Sequence, residues 1–294
     1  MDNHIRSRSE KVFEIFNIAF MLLLMILCVY PLLYVLFASL SSSSSLLSNT
    51  KLLIAPLDFT IDAYIRVFKY PMIVKGYGNT LFIVVVGVTL NMTATILSAF
   101  FLSRRNVKWQ KPIMMLIMFT MFFGGGLIPF YLTVRSVGLE NSSWALIFPS
   151  LINTFNLIIM RTGFYSVPVS LEESVEIDGG NYFVILTKIC IPLMMPTIAV
   201  ITLYYAVDKW NSWFHAAIFL NDRTKYPLQL ILREILISND TSMMTSNIDV
   251  GDTESVAETI KYAVIMVATL PILCLYPFLQ KYFVNGVMIG AVKG

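Results

Sequence analysis

The sequence predicts an all-α membrane protein with six transmembrane helices, and three observations carry that prediction. Of 294 residues, 57% are hydrophobic and only 13% are charged, with a mean hydropathy of +0.73, too few charges to cover a soluble globule. Six runs lack Asp, Glu, Lys and Arg, and each approaches the ~20 residues that a helix needs to cross a hydrocarbon core of ~30 Å. Basic residues gather at the start of the chain and in the short second connection.

The first run, Ile15 to Phe37, follows the basic start "HIRSRSEK" and precedes "FASLSSSSS". Its apolar part is longer than the h-region of a signal peptide, so it is expected to be an uncleaved span. The serines Ser41 to Ser45 read as a low-complexity loop without chemistry. Gly76 to Leu102 forms the second span and Pro112 to Val134 the third, where "FFGGGLIP" suggests close helix packing or a local break. The fourth, Asn141 to Met160, holds Asn153 and Asn156 three residues apart, hence on one helical face, either bonding a neighbouring helix or lining a pore. Ile189 to Val207 and Tyr262 to Gln280 complete the set, with essentially no ionisable residue inside any span. Cys28, Cys190 and Cys274 lack metal-ligand or CxxC spacing and read as packing residues, and no metal site is expected.

An even number of spans puts both termini on one side. Arg6, Arg8 and Lys11 before the first span, with Arg104, Arg105, Lys108 and Lys111 in the second connection, assign that side to the cytoplasm. The connection after the fourth span is then cytoplasmic too. It carries "LEESVEIDGG", in which Glu172, Glu173, Glu176 and Asp178 crowd together. Ser170 and Glu173 have the spacing of a capping box that would start a helix near Leu171 after Pro168. Asp178, Gly179 and Gly180 supply a stop, and Asn181 can cap a second helix running to Ile191, before Pro192 opens the next span. So short a helix is not stable alone in water and must lie against this chain or a partner. Leu171, Ser174, Val175 and Asp178 fall on one small, partly apolar face.

"EESVEIDGGNYFVILTKICIP" resembles the EAA loop of binding-protein-dependent ABC import permeases. Glu173, Ser174 and Val175 stand at the E-A-A places, Asp178 and Gly179 at the D-G pair, and Ile189 and Pro192 at the closing I and P. Ser174 and Val175 depart from alanine but remain small. "FFGGGLIPFYLTVRSVGLENS", "WNSWF" and "GVMIGAVKG" extend the likeness over most of the chain, to the maltose-type second permease and to permeases of lipoprotein-dependent polysaccharide importers.

The resemblance implies a type I ABC importer permease fold. Residues 1–75 would hold the N-terminal segment, first helix and outer loop; 76–283 the transmembrane domain with a coupling loop at 165–190; and 284–294 a cytoplasmic tail. It implies that Glu173, Ser174, Val175, Asp178 and Gly179 form a coupling helix seated in a separate ATPase, in a non-catalytic subunit of an importer for oligosaccharides or polysaccharide fragments. Partners would be a second permease in a heterodimer, two ATPase subunits and an extracytoplasmic solute-binding lipoprotein. No G-x-x-x-x-G-K-[ST] loop occurs, so ATP and Mg are expected on the ATPase and no cofactor in this chain.

"YYAVDKWNSWFHAAIFL" ends the fifth span with an aromatic group that reads as an interfacial belt, or alternatively as a sugar or binding-protein contact. The candidate contacts are Asn153, Asn156, Tyr205, Trp210, Asn211 and Trp213, while His215 reads as an interfacial polar residue. An ion-coupled transporter or channel is the alternative, opposed by the lack of ionisable residues within the spans. An intramembrane enzyme lacks support, since neither H-E-x-x-H nor G-x-S-x-G occurs and catalytic residues are not expected.

Overall fold

The computed structural model describes residues 8–104, 106–238 and 257–274, and all regular structure among them is helical. The expected C-terminal tail, the end of the sixth span, most of "SNDTSMMTSNIDVGDTE", whose polar composition reads as an outer connection, Arg6 and Arg105 lie outside the described residues. Among the described residues three helices are long and apolar enough to cross a membrane, and up to six spans result if each of three bent helix pairs counts as one. The chain divides into two compact units, one of Met1–Tyr70 with Ile235–Thr269 and one of Pro71–Glu234 with Leu270–Gly294.

The first unit contains α1 (Arg8–Ser39), α2 (Ser43–Ser48) and α3 (Asp62–Lys69). The serine run is not a bare loop as expected: Ser42 caps α2, accepting from the Ser45 N–H at 3.4 Å. Ser41 is buried, donating to the Phe37 carbonyl at 2.7 Å and accepting from the Leu57 N–H at 2.9 Å. Short hydroxyl side chains compete for backbone groups where a chain leaves a helix, which gives this polar run its structural use.

The second unit is built around α4 (Pro71–Ser103), a single unbroken helix of 33 residues. Its neighbours are bent. The first pair is α5 (Gln110–Phe122) and α6 (Leu127–Ser136), meeting at 118° across "GGG" as "FFGGGLIP" suggested, with Gly126 at φ 85°. Two short turns, Ser143–Leu146 and Phe148–Ser150, meet α7 (Thr154–Tyr165) at 47°. After the short α8 (Val169–Ile177), α9 (Tyr182–Leu193) meets α10 (Met195–Trp210) at 83°. Pro192 and Pro196 flank that last bend and remove two helix donors, which favours a break there. Then come α11 (Trp213–Phe219) and α12 (Leu228–Ser238), while the last residues of α12 and most of α13 (Ala257–Cys274) belong to the first unit.

Small residues and aromatics let α4 pack along α7 and α10. Ala99 and Phe100 of α4, Leu157, Met160 and Phe164 of α7, and Ile201 and Tyr205 of α10 share one buried cluster, with Phe100 meeting Phe164 edge to face at 5.7 Å. Two regions are positioned by this packing: the α8 turn beside the end of α4, and a cavity at the break before α7.

Candidate functional site

At the first region, α8 starts at Val169 with Pro168 as its cap residue and no side-chain cap bond. The expected capping box is therefore not formed. Pro168 pre-sets the entry, the helix begins two residues before Leu171, and Ser170 lies inside the first turn, where its hydroxyl no longer occupies the cap. The C-terminus matches the expected stop. Gly180 N–H donates to the Val175 carbonyl at 2.8 Å and Gly179 N–H to the Glu176 carbonyl at 3.0 Å, the paired bonds of a Schellman turn.

The two glycines serve different needs. Gly179 sits at φ 77°, where side chains are rare, with open space around it, whereas a Cβ on Gly180 would lie 2.4 Å from Val175 Cγ1 and 2.9 Å from the Val175 oxygen. Asn181 then caps α9, its side chain accepting from the Val184 N–H at 3.0 Å. Helix, glycine turn and capped helix stand as the sequence implied, and α9 passes through a π-helical stretch at Ile185–Cys190 before the bend.

The inward face of α8 differs from the expected one. Glu172 and Val175 turn toward the unit, Val175 against the buried cluster, while Glu173, Ser174, Asp178 and Gly179 remain exposed. Ser174 uses its hydroxyl locally, donating to the Leu171 carbonyl at 2.9 Å. Ile177 is 86% exposed beside these polar residues, an outward apolar side chain that sequence reasoning left out. Glu172, which is not among the residues expected to couple, accepts from Arg104 Nη1 at 2.5 Å. A cleft of about 210 Å³ opens here, lined among others by Arg104, Glu172, Glu173, Glu176 and Tyr182. Arg161 of α7 donates to the Leu102 carbonyl at 2.9 Å and to the Tyr165 hydroxyl at 3.0 Å, so the end of α4 is held from two sides.

At the second region, a cavity of about 630 Å³ is lined by Ser150, Asn153, Asn156, Tyr204, Tyr205 and Asp208, with Phe155 and others at its wall. That volume suits a small ligand, and amides, hydroxyls, a carboxylate and aromatic rings are groups that bind sugars. Asn153 and Asn156 do not share a helical face. The chain is extended at Asn153, which caps α7 by accepting from the Asn156 N–H at 3.1 Å, because the break falls at this residue. The Asn153 N–H donates to the buried Tyr205 hydroxyl at 3.0 Å, and that hydroxyl shares a 2.7 Å hydrogen bond with Thr95 of α4. Asn91 Nδ2 donates to the Ser150 carbonyl at 2.9 Å.

Asp208 and Lys209 lie just beyond the expected end of the fifth span at Val207, and α10 continues through them. Asp208 lines the cavity, whereas Lys209 is only 1% exposed and donates to the Leu146 carbonyl at 2.7 Å and the Ser150 hydroxyl at 2.5 Å. A helix C-terminus suits a cation, and a carbonyl and a hydroxyl satisfy part of its donor set.

The remaining sequence candidates are not brought into this cavity. Trp210 is 6% exposed and packs against Tyr77, ring centroids 6.4 Å apart. Asn211 ends α10 and donates to the Val207 carbonyl at 2.9 Å. Trp213 lies under the Arg233 guanidinium at 3.8 Å. His215 joins Phe130 and Phe219 in an aromatic cluster, and burial holds its imidazole below the usual range. Among the described residues no group of three His, Cys, Asp or Glu could hold a metal ion.

No family model matches the chain. It is 42% identical over 286 residues to the polygalacturonan/rhamnogalacturonan transport system permease protein YtcP of Bacillus subtilis (strain 168), covering 97% of this chain and 99% of that one. A solved chain of a bacterial ABC transporter involved in the import of the acidic polysaccharide alginate superposes with a TM-score of 0.87 at 32% identity, covering 95% of this chain and 99% of that one. A second, from a bacterial alginate ABC transporter in complex with an alginate pentasaccharide-bound periplasmic protein, gives a TM-score of 0.55 at 14% identity, over 93% and 96% of the two chains, a likeness of fold alone.

Proposed function

The chain belongs to the permeases of sugar ABC transporters, and on that premise we propose that α8 is the coupling helix through which a separate ATPase drives passage of an oligosaccharide along this subunit. It is a membrane-embedded permease subunit of an ATP-driven sugar importer, and nothing in the comparisons favours the ion-coupled alternative. The observation that carries the proposal is the exposed helix–glycine turn–capped helix at 169–193, whose residues match the coupling motif and which runs straight into the bent α9–α10 pair.

In this reading Glu173, Ser174, Ile177, Asp178 and Gly179 face the ATPase, which binds ATP and Mg. Each bent pair forms one span, giving six, with both termini cytoplasmic as the basic segments imply. The chain pairs with a second permease and receives substrate from an extracytoplasmic binding protein, as a periplasmic protein is present in the alginate complex. The substrate is a polysaccharide fragment, in keeping with the polygalacturonan, rhamnogalacturonan and alginate of the named relatives. Asn153, Asn156, Tyr204, Tyr205 and Asp208 line part of the route: the cavity offers hydroxyl-binding amides and a carboxylate next to aromatic faces.

Gly179→Val tests the proposal. A β-branched residue at φ 77° strains the turn by about 1–2 kcal/mol and misplaces the docking face. Uptake of an oligogalacturonide by cells carrying the whole importer should be lost, with the variant still inserted and ATP hydrolysis no longer responding to the binding protein. Undiminished uptake would overturn the coupling assignment.

A further inference from the structure

We infer that the Arg104–Glu172 ion pair is the tether by which α8 moves α4, making these two side chains positioning residues for the coupling of ATP hydrolysis to transport. The inference rests on the reading that α8 seats on the ATPase. The pair joins residues 68 apart in sequence, with a 2.5 Å contact between side chains only 13% and 19% exposed. Arg104 is not free to follow any passing carboxylate. Its guanidinium lies over the Phe100 ring at 4.2 Å, Nε donates to the Phe100 carbonyl at 3.3 Å, and Nη2 donates to the Ser103 hydroxyl at 3.1 Å. The cation is thus fixed to the last turn of α4, where a positive charge also suits the helix dipole, and Glu172 stands in the first turn of α8, where a negative charge does. The contact links two helix ends of opposite partial charge. Little solvent reaches it, so screening weakens it less than a surface pair.

What α4 does at its other contacts makes the tether consequential. It is unbroken over 33 residues, while the other candidate spans of its unit that lie wholly among the described residues are bent pairs, so displacement at Arg104 is carried along a rigid element. The same helix bonds the cavity wall twice, through Asn91 to Ser150 and through Thr95 to the Tyr205 hydroxyl that also holds Asn153. A pull on α8 therefore has a polar path to the cavity: Glu172, Arg104, α4, then Ser150 and Asn153. Glu173 and Glu176 line the same cleft but stay on the solvent side, so they would meet the ATPase while Glu172 meets α4.

The test uses the complete importer with partner permease and ATPase in proteoliposomes. Asp208→Cys, in a background where Cys28, Cys190 and Cys274 are serine, reports cavity exposure through its reaction rate with a membrane-impermeant maleimide. Rates are compared without nucleotide and after trapping with ATP and vanadate. The parent should show a nucleotide-dependent ratio. Arg104→Glu and Glu172→Arg should each cut that ratio about tenfold, the size of a ~1.4 kcal/mol coupling, and the exchanged pair Arg104→Glu/Glu172→Arg should restore it. A purely structural role would change expression or melting without rescue of the ratio by exchange. In parallel, a photocrosslinker on Ile177→Cys should capture the ATPase in the parent and in all three variants. No capture in the parent would overturn the seating of α8 itself. Capture with an unchanged ratio in both single variants, or with no restoration in the exchanged pair, would overturn the tether and leave the seating intact.

Discussion

The α8 turn and the cavity before α7 are both built around a helix broken by an asparagine cap, yet they are held together in different ways. Apart from the Arg104–Glu172 pair, the defining bonds around α8 span three to five residues: Asp178 to Ser174, Gly179 to Glu176, Gly180 to Val175, Val184 to Asn181. At the cavity they join residues 52 to 110 apart, from Asn153 to Tyr205, Asn91 to Ser150, Lys209 to Leu146 and Thr95 to Tyr205. Local bonds let a segment keep its shape while exposed, which a docking knob needs. Long-range bonds make a wall whose shape depends on how three helices sit together, as a route that opens and closes needs.

The comparison breaks most sharply at the glycines. Gly180→Val places a branched side chain against the Val175 oxygen at 2.9 Å, where only backbone movement can relieve it, so uptake should vanish, a loss of at least about 100-fold from misplacing the docking face. Gly179→Ala, with open space around it and only the φ 77° strain of about 1 kcal/mol, should keep a measurable rate. If the two alanine substitutions at 179 and 180 proved equal in an uptake assay, close approach would not be what fixes this turn.

Next in size is Ile177→Asp. Because this side chain is 86% exposed, its replacement should leave thermal stability within about 0.5 kcal/mol, the usual range for exposed sites. Uptake should nonetheless fall about tenfold if the side chain fills a pocket on the ATPase. Equal loss of melting temperature and uptake would assign Ile177 to folding.

Tyr205→Phe probes the long-range side. It removes one hydroxyl that serves both Thr95 and the Asn153 N–H, leaving two groups short of a partner, at a cost of about 1–2 kcal/mol read as a lower melting temperature in detergent. Thr95→Val added to Tyr205→Phe should cost less than the sum of the two, because they share the bond. Strict additivity would show that the hydroxyls do not interact in the membrane.

The same contrast explains what was legible in the sequence. Helical spans follow from charge-free length, and the break at "FFGGGLIP" from glycine composition, both properties of contiguous residues. Gly179 and Asn181 could be placed for the same reason, whereas the capping box at Ser170 failed because Pro168 offers an equally local competing start. Glu172 is one of four crowded acids, and because its partner lies 68 positions away nothing nearby marks it. Lys209 hid behind a span boundary drawn at Val207, and its burial depends on Leu146 and Ser150 from another bent pair. Trp210 shows the converse: the aromatic group around "WNSWF" reads as an interfacial belt or a contact surface, but the ring is used to pack on Tyr77.

The smallest expected effect separates the two regions most cleanly, because Asn153 and Asn181 do the same local work. Each accepts from the N–H three residues on, at 3.1 Å and 3.0 Å, so alanine at either should cost about 1 kcal/mol of stability and serine should recover most of it. Their consequences for transport should differ. At 181 the side chain is only a cap, so Asn181→Ser should recover uptake together with stability. At 153 the amide also lines the cavity, so Asn153→Ser should recover stability while the substrate concentration for half-maximal uptake stays raised by about tenfold, the effect of removing one hydrogen-bonding group from a sugar. Recovery of both quantities by Asn153→Ser would reduce Asn153 to a cap and move the sugar contact to Tyr204 and Asp208 of the same cavity.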